Sequence, residues 1–197
     1  MKETDLEVSN NKELSGPESP WVTALINKYY PENNALKALY LRHSRDVRDL
    51  ALKLCDRHPE LGMNRQFVAD AAMLHDIGIF RCHAPKIYCY GDEHYLLHGR
   101  IGAELMRAEG HEDIARVCER HTGAGLTKEE IEEQQLPLPP QDFLPETLEE
   151  QLVCYADKFY SKSNLDRKKT MEQAEKSIAR FGRDGLARFL KWKKTFE

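Results

Sequence analysis

Apolar residues recur along the chain at steps of three and four, the spacing of helices that bury one face. Leu36, Tyr40, His43, Val47, Leu50 and Leu54 form one such row, and it contains an imidazole. Val68, Ala71 or Ala72, and His75 form a second, while Ile114, Val117, Cys118 and His121 form a third, each closing on a histidine. His98 precedes Ile101, Gly102 and Leu105, and Asp157 follows Val153 and Ala156, so both stand at the edge of a further apolar face. The pattern predicts helices at roughly 20–30, 34–57, 64–76, 93–109, 111–121, 127–134, 145–162, 170–181 and 184–195, and almost no strand. Pro31, Pro59 with Gly62, Gly78, Gly91, Gly110, Gly123 with Gly125, the group Pro137, Pro139 and Pro140, and Gly182 interrupt it. Thr127 with Glu130 reads as a capping box, and Pro145 with Glu146 and Glu149 as the first turn of the helix carrying Asp157. An all-α bundle in a single domain is expected. Residues 1–19 would be a flexible polar leader, 20–165 the core, and 166–197 C-terminal helices packed on it.

Composition narrows the setting. A chain of 197 residues, 41% hydrophobic and 31% charged, is long enough for one core. No apolar run approaches a membrane span and the first twenty residues lack a secretory h-region, so a cytoplasmic protein with no membrane partner is expected. Five cysteines with no CxxC pair suit reduced thiols. Cys82, His83 and Cys89 are too few and too widely spaced for a separate zinc site. The net charge of −4 hides an asymmetry: residues 155–197 hold twelve Lys or Arg against six Asp or Glu. The basic run Lys158, Lys162, Arg167, Lys168 and Lys169 reads as a solvated helix face, and nucleic acid is not an expected partner.

One histidine on an apolar face is usually hydrogen-bonded within a core, but six inward His and Asp residues together point to a metal centre. His75 and Asp76 are adjacent at a helix end, where both can turn toward one point, with Gly78 expected to permit a sharp exit. A carboxylate has two oxygens, so Asp76 can serve two cations, whereas an imidazole serves one.

The tetrad His75-Asp76-Ile77-Gly78 resembles the signature of the HDIG branch of the HD superfamily of metal-dependent phosphohydrolases. The companion motifs follow in that family's order: RHS around His43, HGRIGAE from His98, ERH ending at His121 and YADK around Asp157. The resemblance covers roughly residues 36–162 and implies an HD-domain helical bundle. It implies that His43, His75, Asp76 and Asp157 hold one divalent metal ion and that Asp76, His98 and His121 hold a second, with Asp76 bridging. Iron or manganese is favoured for the two ions, with zinc, cobalt and nickel admitted by the same donors. The implied activity is hydrolysis of a phosphoester or phosphoanhydride in a small phosphorylated molecule, a nucleotide foremost, by an activated water. A similarity of the ligand set to symmetrical dinucleoside tetraphosphatases supports the nucleotide.

Asp76 is thus the expected catalytic centre, and Lys158 beside Asp157 the candidate for touching a substrate oxygen, with Arg45 a second. His94 lies four residues before His98, but the HGRIGAE motif selects His98. The stretch Phe80–Asp92 is expected to loop over the site, its Tyr88 and Tyr90 stacking on a nucleobase or packing the loop. The text after His121, TGAGLTKEE, lacks the GYP of cyclic dinucleotide phosphodiesterases. Ile79-Phe80 follows the dyad where alarmone hydrolases carry acids and inositol-cleaving oxygenases a lysine. A di-iron oxygenase of the same fold is the alternative enzyme, and a non-catalytic metal-dependent sensor the alternative outside catalysis. The oligomeric state stays open.

Overall fold

A computed structural model describes residues 16–197, so most of the expected leader lies outside the described residues. Among these, nine α-helices follow one another: α1 (Pro20–Tyr29), α2 (Ala35–Arg57), α3 (Arg65–Leu74), α4 (His98–Ala108), α5 (Glu112–Arg120), α6 (Lys128–Glu133), α7 (Leu148–Asp157), α8 (Met171–Ile178) and α9 (Arg183–Phe196). The strand content is a hairpin of β1 (His83–Ala84) and β2 (Cys89–Tyr90), antiparallel with His83 opposite Tyr90.

Polar side chains define where the helices begin. Asn34 accepts from the Lys37 amide and Asn64 from the Phe67 amide, at the starts of α2 and α3. Thr127 and Thr170 form reciprocal capping boxes with Glu130 and Gln173. Each such cap satisfies amides that the first turn leaves unpaired. Helix α2 packs along α3, and α4 packs on α5. Helix α7 runs through the middle and touches α2, α3, α5 and α9. Its Leu152, Val153, Cys154, Tyr155 and Ala156 are wholly buried, each large apolar side chain contributing about 1.5–3 kcal/mol. From α9, Phe189 and Phe196 are also buried, with ring centroids 4.9 and 5.7 Å from that of Tyr155.

Three helices end earlier or begin later than periodicity predicts, and each difference bears on the histidines and aspartates. Helix α3 stops at Leu74, so His75 and Asp76 lie in a tight turn beyond it, closed by the Ile77 amide on the Leu74 carbonyl. Gly78 has φ −85°, an ordinary right-handed value, so its expected conformational role is not what the turn uses. A Cβ there would sit 2.4 Å from the His98 carbonyl oxygen and 2.5 Å from the Gly102 nitrogen; the glycine is needed to let α4 approach. The segment expected as one helix from 93 divides into a 3-10 turn, Tyr95–Leu97, and α4. The His94 ring caps that turn by accepting from the Leu96 amide.

Helix α7 begins after Thr147, which leaves Pro145 and Glu146 ahead of its first turn, and it ends at Asp157 rather than near 162. Past it the Phe159 and Tyr160 amides close short turns onto Ala156 and Asp157, and the Lys169 amide returns to the Phe159 carbonyl. Ser161, Ser163 and Asn164 in this stretch offer the backbone local alternatives to a helix. Residues 158–170 therefore fold back over the bundle.

Candidate metal centre

The six inward His and Asp residues meet at one place. His43 comes from the middle of α2, His75 and Asp76 from the turn after α3, His98 from the start of α4, His121 from just past α5, and Asp157 from the last position of α7. All six are buried, Asp76 and His75 completely. Tyr40 donates to the Met73 carbonyl at 2.5 Å and Tyr30 to the Ile77 carbonyl at 3.0 Å, fastening the dyad turn to α2 and α1.

The donor atoms fall into two overlapping groups. His43, His75, Asp76 and Asp157 form one, and Asp76, His98 and His121 the other, with the atoms in each within 4.8 Å of one another. His43 Nε2 lies 3.2 Å from Asp76 Oδ2 and 3.1 Å from Asp157 Oδ1, and His75 Nε2 lies 3.0 and 3.6 Å from the same two oxygens. On the other side, His98 Nε2 and His121 Nε2 are each 3.4 Å from Asp76 Oδ1 and 3.0 Å from each other. Asp76 thus presents one oxygen to each group. Neighbouring ligands at right angles on an ion with bonds of about 2.1 Å stand about 3.0 Å apart, which these spacings approach.

The protonation pattern also suits cations. His75, His98 and His121 each turn Nδ1 to the carbonyl three residues earlier, on Ala72, Tyr95 and Cys118, at 2.8, 2.6 and 2.7 Å. A ring that donates from Nδ1 directs the lone pair of Nε2 into the cluster, the arrangement common behind metal-bound histidines. Burial pulls the His98 imidazole down to about 3 and lowers His121 as well, so both rings are neutral and free to offer a nitrogen to a cation. His43 Nε2, His75 Nε2 and both Asp76 oxygens are buried without a hydrogen bond among the described residues, reached by ion-pair contacts alone. Unmet groups of this kind cost about 1–3 kcal/mol each, which bound cations would remove.

The HD-domain family model matches residues 40–161 and so spans every one of these donors. The chain belongs to the HD-domain family.

This HD-domain protein is 37% identical over 139 residues to a tRNA (cytidine(56)-2'-O)-methyltransferase of Picrophilus torridus, covering 70% of its own length and 36% of the relative's. It is 41% identical over 110 residues to an uncharacterized protein of Methanocaldococcus jannaschii, covering 55% of its own chain and 56% of the other. A tRNA (cytidine(56)-2'-O)-methyltransferase of Thermoplasma volcanium is 31% identical over 150 residues, 71% of this chain and 40% of that one. The chain thus spans between about a third and just over half of these relatives. No solved structure matches it significantly.

Two lysines of the HD-domain protein reach the cluster. Lys158, singled out from its place beside Asp157, bonds Asp157 Oδ2 at 2.6 Å and the His121 carbonyl at 2.8 Å. Lys162, read from sequence as part of a solvated face, is instead mostly buried and places Nζ 2.5 Å from Asp76 Oδ2. Sequence reasoning missed it because the fold-back after Asp157 brings it there; the two serines flanking it and Asn164 were the available sign that the helix stops. Burial opposes the charge of Asp76, but Lys162 and His75 outweigh it and hold the carboxyl well below the usual range. Asp157 is held down in the same way, chiefly by Lys158 and His43.

A cavity of about 450 Å³ opens beside the cluster, lined by His98, His121, Asp157, Lys158 and Lys162 on the polar side. Ile87, Leu96, Ile178 and Phe181 line it on the apolar side. The Phe80–Asp92 stretch contributes Ala84, Lys86 and Ile87 to this wall. Tyr88 and Tyr90 face elsewhere, 48% and 71% exposed, over a separate depression with Asn34 and Phe80. Both are too exposed for the packing role, and neither lines the cavity beside the cluster, where stacking was expected. Arg45 pairs with Glu18, away from the cavity, and His94 remains at its capping position.

Proposed function

We propose that this HD-domain protein hydrolyses a phosphoester or phosphoanhydride bond in a small molecule, a nucleotide foremost, using two divalent cations, with iron or manganese favoured. The observation that carries the reading is the wholly buried Asp76, with one oxygen in each of two donor groups. Bound there, a pair of cations would lower the pKa of a water between them and neutralise phosphoryl oxygens. His43, His75 and Asp157 would complete one side and His98 and His121 the other. Lys162 and Lys158 hold the carboxylates of Asp76 and Asp157 in place and add positive charge to the cavity wall. Both suit a substrate whose negative charge grows as the bond to phosphorus breaks. The apolar wall of Ile87, Leu96, Ile178 and Phe181 would receive the organic part of the molecule and exclude water.

The two methyltransferases match over 36% and 40% of their lengths, so the reading rests on the donors in this chain and not on the methyl transfer named for those relatives. The test is hydrolysis of a chromogenic phosphoester and a nucleotide panel with added manganese or iron, comparing the native protein with Asp76→Ala. A fall of about 10³-fold is expected, about 4 kcal/mol of transition-state stabilisation. Equal rates would remove the cluster from the chemistry. Oxygen consumption with no phosphoester turnover would favour the oxygenase.

A further inference from the structure

Beyond the cavity lies a second depression of about 420 Å³, joined to it through Ser161, Lys169 and Ser177, which line both. Its other walls include Arg167, Lys176 and Arg180, and no carboxylate lines it. Gln173, Lys176, Ser177 and Arg180 recur at helical spacing on α8 and its 3-10 extension, so they share one face. The chain has an excess of acids, 33 against 29 Lys and Arg. Some cations elsewhere stand against acids: Arg107 bonds Glu112 and Glu119, and Arg116 bonds Glu146 and Glu150. Among the described residues Arg167, Lys169, Lys176 and Arg180 have no ion pair. Burial and the nearby Lys158, Lys162 and Arg180 lower Lys169, opposed by Asp157, as crowding of like charge would. A cluster of cations this free of acids is repulsive until an anion enters it.

We propose that this depression is an anion subsite for a second phosphate, and that the substrate is an oligophosphate, such as a nucleoside di- or triphosphate, lying across Lys169 from the metal centre. The inference deepens the hydrolase reading and rests on it for the chemistry. One phosphate would lie beside Lys162 at the metal centre while the next meets the Arg167 and Arg180 guanidinium groups and the Lys176 ammonium, all of which suit phosphate oxygens.

The test titrates the full-length protein calorimetrically with inorganic tripolyphosphate and with inorganic phosphate, beside the double variant Lys176→Gln, Arg180→Gln. Both positions are exposed, so the variant should fold. The native protein is expected to bind tripolyphosphate at least tenfold tighter than phosphate, and the variant to lose most of that ratio. In turnover, the ratio of KM for a nucleoside triphosphate to KM for a chromogenic monoester should rise at least tenfold in the variant. Unchanged ratios in both measurements would overturn the subsite even if hydrolysis is robust. The binding ratio intact with no turnover of any phosphoester would overturn the hydrolase reading instead. Tight binding of a tRNA that tripolyphosphate does not displace would overturn the oligophosphate in favour of a polynucleotide.

Discussion

A lysine against a fully buried carboxylate matters most when nothing else balances that carboxylate. Lys162 is such a residue, and its weight depends on whether cations share Asp76. Replacing it in Lys162→Met should cost about 3 kcal/mol in chelator, the penalty of leaving a buried charge unpaired, and well under half of that with saturating manganese. Denaturant unfolding under both conditions measures the difference. His75 makes a second prediction. Burial pulls its imidazole down, but Asp76 and Asp157 carry it up to about 9 from an ordinary 6.5. Its folded value is the higher one, so in the metal-free protein its contribution is complete below 6.5 and is lost as pH rises through 9. A histidine binds a metal only as the neutral imidazole, so cation uptake displaces that proton. Apparent affinity should rise about tenfold per pH unit between roughly 7 and 9 and then level off. Calorimetry in two buffers of different ionisation heat should show about one proton released at pH 7. Residue by residue, the six donors were legible because each sits in an apolar row, whereas Lys162 sits in a run of charges that looks solvent-facing until the chain doubles back.

Helix ends carry most of the geometry. His75, Asp76, His98, His121 and Asp157 all lie at or just beyond a terminus, so a boundary shift of a turn would scatter them. Periodicity located the helices themselves, and the cap at Thr127 was readable from residue type. What it could not locate was where α3 and α7 stop, because the residues past Leu74 and Asp157 continue the apolar rhythm while their backbone turns away. Gly78→Ala tests the contact between the dyad turn and α4. Its φ of −85° accommodates alanine, so any loss comes from the new methyl pressing on the His98 carbonyl. A drop of about 1–3 kcal/mol with weakened metal retention is expected, against little change for Glu133→Ala on the exposed end of α6. Removing the α7 cap in Thr147→Ala should cost about 1 kcal/mol and leave metal content intact. Thermal melts and elemental analysis separate the two outcomes.

At the scale of the molecule, the donors tie together α2, α3, α4, α5 and α7, which between them hold most of the core. Stripping the ions with a chelator should therefore loosen the bundle as a whole. Each ion held at a hundred times its dissociation constant stabilises by about 2.7 kcal/mol, roughly 5–10 °C in melting temperature for a chain of this size. The all-α class followed from helical spacing alone, since no segment alternates over more than the short hairpin. The course of residues 158–170 did not, because long-range contacts set it. Six donors mounted on five helices also fix the dimensions of the cage they form. Were cations held there, calcium, which seeks six to eight oxygens at 2.3–2.6 Å, would meet four imidazoles in a cage that widens only if whole helices part, so the packing would disfavour it.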